Sequence, residues 1–195
     1  MQDEDIAIIN AVLAGNSKDY KKLVVKYQDM VMSIAMRVLQ QREEAEDTAQ
    51  LCFLKAYEKL STFRGNALFS TWLYRIAYHL SISRYRQQKS VRAISLVSFS
   101  GHEQLIADEF TEPLTEEDQD LKILEKAMQK LTAEERGLLG LFYMQELSIA
   151  EISKIGGWSE SNVKVKLFRT RKKLAQLMEE NSLSNTHKIY CHESK

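Results

Sequence analysis

The sequence predicts an all-α protein, with two small helical domains joined by a flexible acidic linker and a helix-turn-helix in the second. Only one proline and seven glycines occur in 195 residues, which favours long helices over a fold with many turns. Apolar residues recur at helical spacing in two long stretches, and this periodicity fails between them. Charge is also segregated along the chain, which separates the stretches further.

The first domain, predicted over residues 1–89, contains four amphipathic helices. Their apolar stripes run from Ile6 to Leu13, from Tyr20 to Val38, from Ala45 to Leu60 and from Phe69 to Leu80. A loop over residues 61–67 separates the last two, with Gly65 and Asn66 as turn residues. The four stripes predict one shared core.

The linker, predicted over residues 90–117, has no periodicity and contains the only proline. It exceeds the roughly 12–15 residues usual for a loop inside a compact domain. Eight acidic residues and no basic residue lie between Glu103 and Asp120. Two interpretations remain open: a solvated tether, or a segment that mimics nucleic-acid charge or shields basic faces in the free protein.

The second domain, predicted over residues 118–181, begins with a helix marked by Leu121, Leu124 and Met128. Two capping boxes follow, Thr132 with Glu135 and Ser148 with Glu151, and Ser159 caps the last helix. A short capped helix, a glycine turn and a longer basic helix indicate a helix-turn-helix. Residues 182–195 are predicted to form a polar, frayed tail.

The last helix has an apolar stripe for the core and a polar face for a major groove. The residues expected on the groove side are Ser161, Asn162, Val165, Lys166 and Arg169. Asn can pair with adenine and Lys or Arg with guanine, while Lys164 and Arg171 can hold phosphates. The alternative is an amphipathic helix whose charged face is merely solvated.

Residues 72–89 combine four aromatic rings with four Arg or Lys side chains and contain no acidic residue. The residues left outside the apolar stripe are Tyr74, Arg75, Tyr78, His79, Ser81, Ile82, Tyr85 and Arg86. Partly exposed rings beside guanidinium groups suit unstacked bases. The alternative is that the tyrosines line the edge of the core with their hydroxyls in water.

The formal net charge of zero argues, taken alone, against a nucleic-acid partner. It hides two basic blocks, five basic residues from Arg75 to Arg92 and six from Lys164 to Lys173. Cys52 and Cys191 form no CxxC pattern, and no apolar run approaches the ~20 residues of a membrane span. With an acidic N-terminus, these features predict a soluble cytoplasmic protein without disulfides or membrane insertion.

Two stretches together resemble a known family. AEDTAQLCFLKAYEKLSTFRGNALFSTWLYRIAYHL resembles the N-terminal region of extracytoplasmic-function (ECF) bacterial sigma factors. LTAEERGLLGLFYMQELSIAEISKIGGWSESNVKVKLFRTRKKL resembles their C-terminal region. Their order and their separation by an acidic linker extend the resemblance over nearly the whole chain.

The resemblance implies a promoter-specificity subunit of bacterial RNA polymerase, with core polymerase and promoter DNA as partners. Contacts with the core polymerase are implied for Glu46, Asp47 and Gln50. Contacts with the melted −10 element are implied for Phe63, Arg64, Gly65, Asn66, Phe69, Thr71, Trp72, Tyr74, Arg75, Tyr78, His79, Arg84 and Arg86. Contacts with the −35 duplex are implied for Ser161, Asn162, Lys164, Val165, Lys166, Arg169 and Arg171.

The chain departs from the family pattern at a few positions. Leu51 follows Gln50 where an acid is usual, which affects one polar contact with the polymerase. Asn66 stands where Asp is common, and Val165 stands where the family usually has Ser, so both DNA preferences are expected to differ. The family often has an anti-sigma partner, which this sequence does not identify.

No catalytic constellation, metal-ligand spacing or cofactor motif is evident in the sequence. We therefore expect no catalytic residue, no metal, no cofactor and no enzymatic activity of the chain itself. Two rival functions remain: a stand-alone helix-turn-helix regulator without a polymerase contact, and a helical adaptor without a nucleic-acid role.

Overall fold

The computed structural model describes residues 2–98 and 116–192. Within these ranges no residue lies in a β-strand, which confirms the predicted all-α class. The helices are α1 (Gln2–Leu13), α2 (Tyr20–Leu39), α3 (Arg42–Glu58), α4 (Phe69–Ser98), α5 (Glu116–Gln129), α6 (Ala133–Leu139), α7 (Ile149–Gly156) and α8 (Glu160–His192). Short 3-10 turns occupy Ser17–Asp19 and Leu60–Thr62, and a π-helical turn occupies Gly140–Met144.

Helices α1–α4 form an N-terminal bundle whose core follows the predicted apolar stripes. The side chains buried at its centre are Leu23, Val31, Ile34 and Val38 of α2, Ala45, Cys52 and Ala56 of α3, and Leu73 and Ala77 of α4. The buried residues of α3 are small, so α3 approaches α2 and α4 closely. Each buried Leu, Ile or Val stabilises the bundle by roughly 1.5–3 kcal/mol.

Helix α1 is joined to α2 by a buried polar cluster as well as by apolar contacts. Tyr27 Oη and Lys26 Nζ each donate a hydrogen bond to the Asp5 carboxylate at 2.5 Å. Ile9 and Val12 are buried beside this cluster. Because a buried carboxylate is costly unless it is paired, these two donors fix the position of α1.

Helices α5–α8 form a C-terminal bundle in which both predicted capping boxes are present. The Glu135 amide donates to Thr132 Oγ1 at 3.3 Å, and the Thr132 amide donates to Glu135 Oε2 at 2.7 Å. The Ser148–Glu151 pair repeats this geometry at 3.2 and 2.9 Å. These caps satisfy amides that α6 and α7 would otherwise leave without partners.

The turn between α7 and α8 confirms the predicted helix-turn-helix. Gly157 has φ of +69°, a left-handed conformation that glycine adopts without steric cost and that ends α7. Ser159 Oγ then accepts a hydrogen bond from the Asn162 amide at 3.2 Å and caps α8 as predicted. Ile152 and Ile155 of α7 pack in the core with Val163 of α8.

Two helix ends differ from the sequence-based expectation. Helix α4 continues to Ser98, beyond the predicted domain end at residue 89, and α8 continues to His192 through the predicted tail. Of the predicted linker, residues 90–98 therefore belong to α4 and residues 116 and 117 to α5, while residues 99–115 lie outside the described residues.

The two bundles pack against each other through α2 and α4 on one side and α6 and α7 on the other. Gly137 lies against Tyr78 and Val38. The Arg136 guanidinium donates to the carbonyl oxygens of Arg37 at 3.0 Å and Val38 at 2.8 Å. One apolar core therefore extends across both bundles.

Candidate nucleic-acid interface

An open cleft of about 440 Å³ lies between the C-terminal end of α3 and the first turns of α4. Its walls are Lys55, Lys59, Trp72, Arg75, Ile76, His79 and Leu80, with no acidic side chain among them. Lys55 also pairs with Glu58 on the surface of α3 at 2.8 Å. Cations beside an aromatic ring suit a nucleotide, whose base stacks and whose phosphate is anionic.

A cluster of three rings holds the loop before α4 beside this cleft. The Phe63 ring centroid lies 5.4 Å from that of Phe69 and 5.7 Å from that of Trp72. Arg64 and Asn66 of the same loop are exposed. Thr71 and Phe69, for which the resemblance implies contacts with the −10 element, are buried in the structure.

Tyr74 and Tyr78 are not the partly exposed rings that the sequence predicts on α4, and their implied contact with the −10 element stays a prediction. They are only 4% and 2% exposed, because the C-terminal bundle covers them. Tyr74 Oη donates to the Gln145 side chain, and the Tyr78 ring packs on Trp158 with centroids 6.0 Å apart. Burial raises the pKa of both tyrosines. Ser81 and Ile82, also expected on the outer face of α4, are buried too.

Three further predicted −10 residues have protein partners. His79 Nε2 lies 3.0 Å from the Ile155 carbonyl oxygen, so this nitrogen donates. Arg84 Nε donates to Glu44 at 2.6 Å, and Arg86 pairs with Glu134 of the C-terminal bundle at 2.5 Å. The hydrogen bond from Arg84 to Glu44 raises the pKa of that guanidinium.

The recognition helix α8 presents most of its predicted residues to solvent. Val163, Leu167 and Thr170 form the buried stripe. The exposed residues on the other side include Ser161, Asn162, Lys164, Val165 and Arg169, as predicted. Lys166 differs, because it is half-buried and its Nζ lies 5.0 Å from the centroid of the Trp158 ring.

Arg171 is held on the flank of α8 by two rings of the preceding π-helical turn. Its guanidinium carbon lies 4.9 Å from the centroid of Phe142 and 5.2 Å from that of Tyr143. This stacking orders the guanidinium while leaving the residue exposed. A phosphate contact there would use a group whose position is already fixed.

The residues expected to contact the polymerase lie together on the outer face of α3. Glu46, Asp47 and Gln50 are all exposed, and Arg42 Nε donates to Glu46 at 2.8 Å. Leu54 continues the same face and is 62% exposed. An acidic patch thus borders an apolar side chain.

Comparison with known proteins identifies the family. Residues 23–91 match the Sigma-70 region 2 family, and residues 121–174 match the Sigma-70, region 4 family. The ECF RNA polymerase sigma factor SigW of Bacillus subtilis is 31% identical over 85% of this chain and 92% of its own length. The chain belongs to the ECF sigma factor family.

Other relatives agree with this assignment. The ECF RNA polymerase sigma-E factor of Escherichia coli is 30% identical, over 86% of this sigma factor and 90% of its own length. A solved structure of the sigma factor RpoE with the anti-sigma factor NepR, from Bartonella quintana, shares the fold. It has a TM-score of 0.64 and 22% identity, and covers 83% of this chain and 98% of that one.

As a member of this family, the sigma factor directs promoter-specific transcription initiation with RNA polymerase. Its helix-turn-helix lies in region 4, and the cleft between α3 and α4 lies in region 2. None of its helices, within residues 2–98 and 116–192, is both long and apolar enough to cross a membrane.

Sequence reasoning missed four residues of this sigma factor that the structure places on candidate surfaces. Lys55 and Lys59 line the cleft, and their spacing of one helical turn at the end of α3 was a usable signal. Phe168 is 68% exposed on the recognition helix, where a large apolar residue interrupts the polar face. Leu54 lies outside the apolar stripe of α3, and that position was a usable signal for its exposure.

Proposed function

We propose that this sigma factor reads the −10 element as a melted strand with residues 1–89 and the −35 element as duplex with residues 118–181. The observation that supports this division most strongly is the cleft between α3 and α4. It combines Trp72 with Lys55, Lys59 and Arg75, a pairing that serves an unstacked base and its phosphate. A helix-turn-helix, in contrast, serves an intact groove.

In the −10 contact, the Trp72 ring offers a stacking surface and the neighbouring cations neutralise phosphates. Phe63 and Phe69 pack against the Trp72 ring and keep it in position, and Arg64 and Asn66 are exposed in the same loop as Phe63. Extruding a base costs a few kcal/mol, which stacking at roughly 1–3 kcal/mol per base and pocket contacts must return. Tyr74 and Tyr78 add to this surface once the C-terminal bundle moves away.

In the −35 contact, the N-terminal half of α8 enters the major groove. Asn162 and Arg169 have the side chains that pair with base edges, and Ser161 and Lys164 suit phosphates. Val165 and Phe168 add apolar contacts of the kind that a thymine methyl group offers. The rings that hold Arg171 direct its guanidinium to the flank of the groove.

The core RNA polymerase binds the outer face of α3 in this proposal. Glu46, Asp47 and Gln50 supply polar contacts, and Leu54 supplies the apolar centre that stable interfaces require. Leu51 stands where the family usually has an acid and extends the apolar part of this face. The Bartonella quintana relative was solved with an anti-sigma factor, and we propose that an anti-sigma factor also regulates this sigma factor.

The sigma factor acts in the cytoplasm, where its polymerase is, and catalyses no reaction itself. Synthesis belongs to the core enzyme, and the chain supplies binding energy for promoter selection and strand opening. This proposal needs no cofactor and no metal.

Permanganate footprinting with core polymerase tests the division of labour. The promoter for this experiment is identified by sequencing the transcripts that appear after the sigma factor is overexpressed. Arg169→Ala should weaken the initial duplex complex about tenfold or more, because a good base contact is worth roughly 1–3 kcal/mol. Trp72→Ala should leave initial binding nearly intact while thymines of the −10 element lose reactivity. Equal loss of closed and open complexes in both variants contradicts the division.

Two further measurements separate the rival functions: transcription with the core polymerase, and DNA affinity at several salt concentrations. A stand-alone regulator binds the duplex but does not support transcription by the core polymerase. A helical adaptor shows no DNA affinity that falls linearly with the logarithm of salt concentration. Transcription that depends on both the chain and the core polymerase excludes both rivals.

A further inference from the structure

A second pocket, of about 360 Å³, lies between α5, α8 and the π-helical turn that follows α6. Its surface is almost entirely apolar. The aliphatic side chains that line it are Leu124, Met128, Leu139, Met144, Leu174 and Met178. Three of them are methionines, whose flexible side chains adapt to the shape of a bound molecule.

Two helices supply opposite walls of this pocket through residues at helical spacing. On α5, Leu124 and Met128 are one turn apart and therefore share a face. On α8, Arg171, Leu174 and Met178 follow one another at intervals of three and four residues and share a face in the same way. Because α5 packs against α8, both faces reach the pocket.

The π-helical turn Gly140–Met144 leaves the pocket open to solvent on one side. Tyr143 and Met144 both line the pocket, and they are 54% and 56% exposed. Large apolar side chains that stay exposed beside a concavity are typical of binding sites. Turns of π-helix are rare and occur frequently at functional sites. The turn thus gives the pocket an apolar entrance.

The charged residues that line the pocket, within the part of the chain that the structure describes, are two arginines and no acid. The Arg171 guanidinium is ordered by its stacking on Tyr143 and is exposed. Arg37 lies against Gly140, where a Cβ atom would be 2.8 Å from Arg37 Cδ. Arg37 Nε is buried and has no hydrogen-bond partner among the described residues, which is costly. The charge of the pocket therefore suits an anionic ligand.

The size of the pocket favours a small amphipathic molecule over a protein segment. Its volume lies near the lower end of the range for small-molecule sites, roughly 300–1,000 Å³. An α-helix is about 10–12 Å across with its side chains, and it needs a groove that accepts anchors from successive turns. One aliphatic chain with one anionic head matches both the apolar lining and the two cations.

We propose that this pocket, here termed the acyl pocket, binds a free medium-chain fatty acid. The aliphatic chain lies among the methionines, and the carboxylate pairs with Arg171. Binding of the fatty acid stands on the pocket alone. A regulatory consequence rests on the proposed function, in which Arg171 contacts a phosphate of the −35 duplex: the bound carboxylate competes with DNA for the same guanidinium.

Isothermal titration calorimetry of the full chain with decanoate, below the concentration at which decanoate forms micelles, tests the acyl pocket. We expect one site per chain. Affinity should rise about fifteenfold from octanoate to decanoate, since each buried methylene contributes ~0.8 kcal/mol. Arg171→Gln should weaken decanoate binding about tenfold and leave the binding of uncharged decanol unchanged, because only the acid uses the guanidinium.

Ala175→Phe tests the location of the site. Ala175 lines the acyl pocket and is exposed on α8, so a larger side chain there fills the pocket without entering the buried core. We expect decanoate binding to be lost while the thermal midpoint without ligand stays unchanged. Gln176→Phe is the matched control, because it adds the same ring at the next exposed position, which does not line the pocket. It should bind decanoate like the wild type.

The outcomes separate the acyl pocket from the proposed function. Absence of decanoate binding, or equal binding by folded Ala175→Phe, overturns the acyl pocket. Flotation with vesicles of an anionic phospholipid, in a chain that does not bind free decanoate, overturns the free fatty acid as the ligand.

Competition with DNA is measured separately, by gel shift of the −35 duplex with and without saturating decanoate. Decanoate should weaken duplex binding by the wild type about fivefold, the upper end for one exposed ion pair, and should not affect Ala175→Phe. Unchanged duplex affinity in a chain that binds decanoate overturns the competition and leaves the acyl pocket standing. A chain that binds decanoate but no duplex overturns the proposed −35 contact alone.

Discussion

Phe168 is a single residue whose exposure has no explanation in the fold. Among the large apolar side chains of α8 up to residue 181 it is the most exposed, and it lies on the same outer face as Val165. An isolated ring there gains nothing from the core, whereas thymine offers a methyl group in the major groove. We therefore predict that Phe168 contributes to promoter specificity, beside the polar residues that the sequence indicates.

Replacing thymine by uracil tests this assignment, because only the C5 methyl group is removed. The wild-type sigma factor should lose about fourfold in duplex affinity at the contacted position, the equivalent of ~0.8 kcal/mol for one buried methylene-sized group. Phe168→Ala should bind both duplexes equally. Gel-shift titrations of a −35 duplex, with each thymine replaced in turn, provide the measurement.

Gln176→Ala is a suitable control for Phe168→Ala, since Gln176 is exposed two helical turns further along α8. The control should keep the full difference between thymine and uracil. Equal discrimination in Phe168→Ala and in the wild type would exclude a methyl contact by this ring.

At the scale of single elements, α3 and α4 together form the cleft, and neither helix forms it alone. Lys59 follows the last residue of α3 and faces Trp72 across the cleft. We expect Lys59→Ala to weaken single-strand binding and to reduce the slope of log K against log salt by about 0.7, the value for one phosphate contact. Fluorescence anisotropy at four or so salt concentrations gives this slope.

Lys22→Ala is the matched control for Lys59→Ala. Lys22 is an exposed lysine of α2 that pairs with Asp19 at 2.7 Å, away from the cleft. Its removal should leave the salt slope unchanged. A slope that falls equally in both variants would indicate general electrostatic attraction and no specific phosphate site.

The elements differ in how far the sequence determines them. Capping boxes predict the starts of α6 and α7 because the Thr132 and Ser148 side chains bond within their own helix turns. The fading apolar stripes predict that the first domain ends at residue 89 and that a frayed tail begins at residue 182, whereas α4 continues to Ser98 and α8 to His192. No glycine or proline occurs between residues 66 and 100 or after Gly157, so no stop signal supports ends at residues 89 and 181.

At the scale of the whole molecule, the sequence could not indicate which exposed-looking face becomes an interface. Tyr74 and Tyr78 fall outside the stripe that α4 directs into its own bundle, so periodicity places them in solvent. Their partners, Gln145 and Trp158, are about seventy to eighty positions away, and helical spacing carries no information over that distance. Phe63 and Trp72 were predictable as a pair because the loop between them is short.

The continuous core predicts how the whole chain unfolds. The wild type should show one calorimetric transition, because Leu138 and Leu141 of the C-terminal bundle share a core with Val38 and Leu39 of α2. Gly137→Ala should show two transitions, with the less stable bundle melting lower by about 2–4 °C for each kcal/mol of lost contact. Differential scanning calorimetry at matched protein concentration measures this, and two transitions in the wild type would contradict a shared cooperative unit.

The burial of Tyr74 and Tyr78 has a consequence for the lifetime of the protein. In the structure the C-terminal bundle covers both aromatic rings. A chain whose bundles came apart would expose these rings, and the surfaces of α6 and α7 that face them, to proteases. A substitution that loosens this contact should therefore shorten the lifetime of the protein even where it leaves every exposed residue of α3 and α8 unchanged.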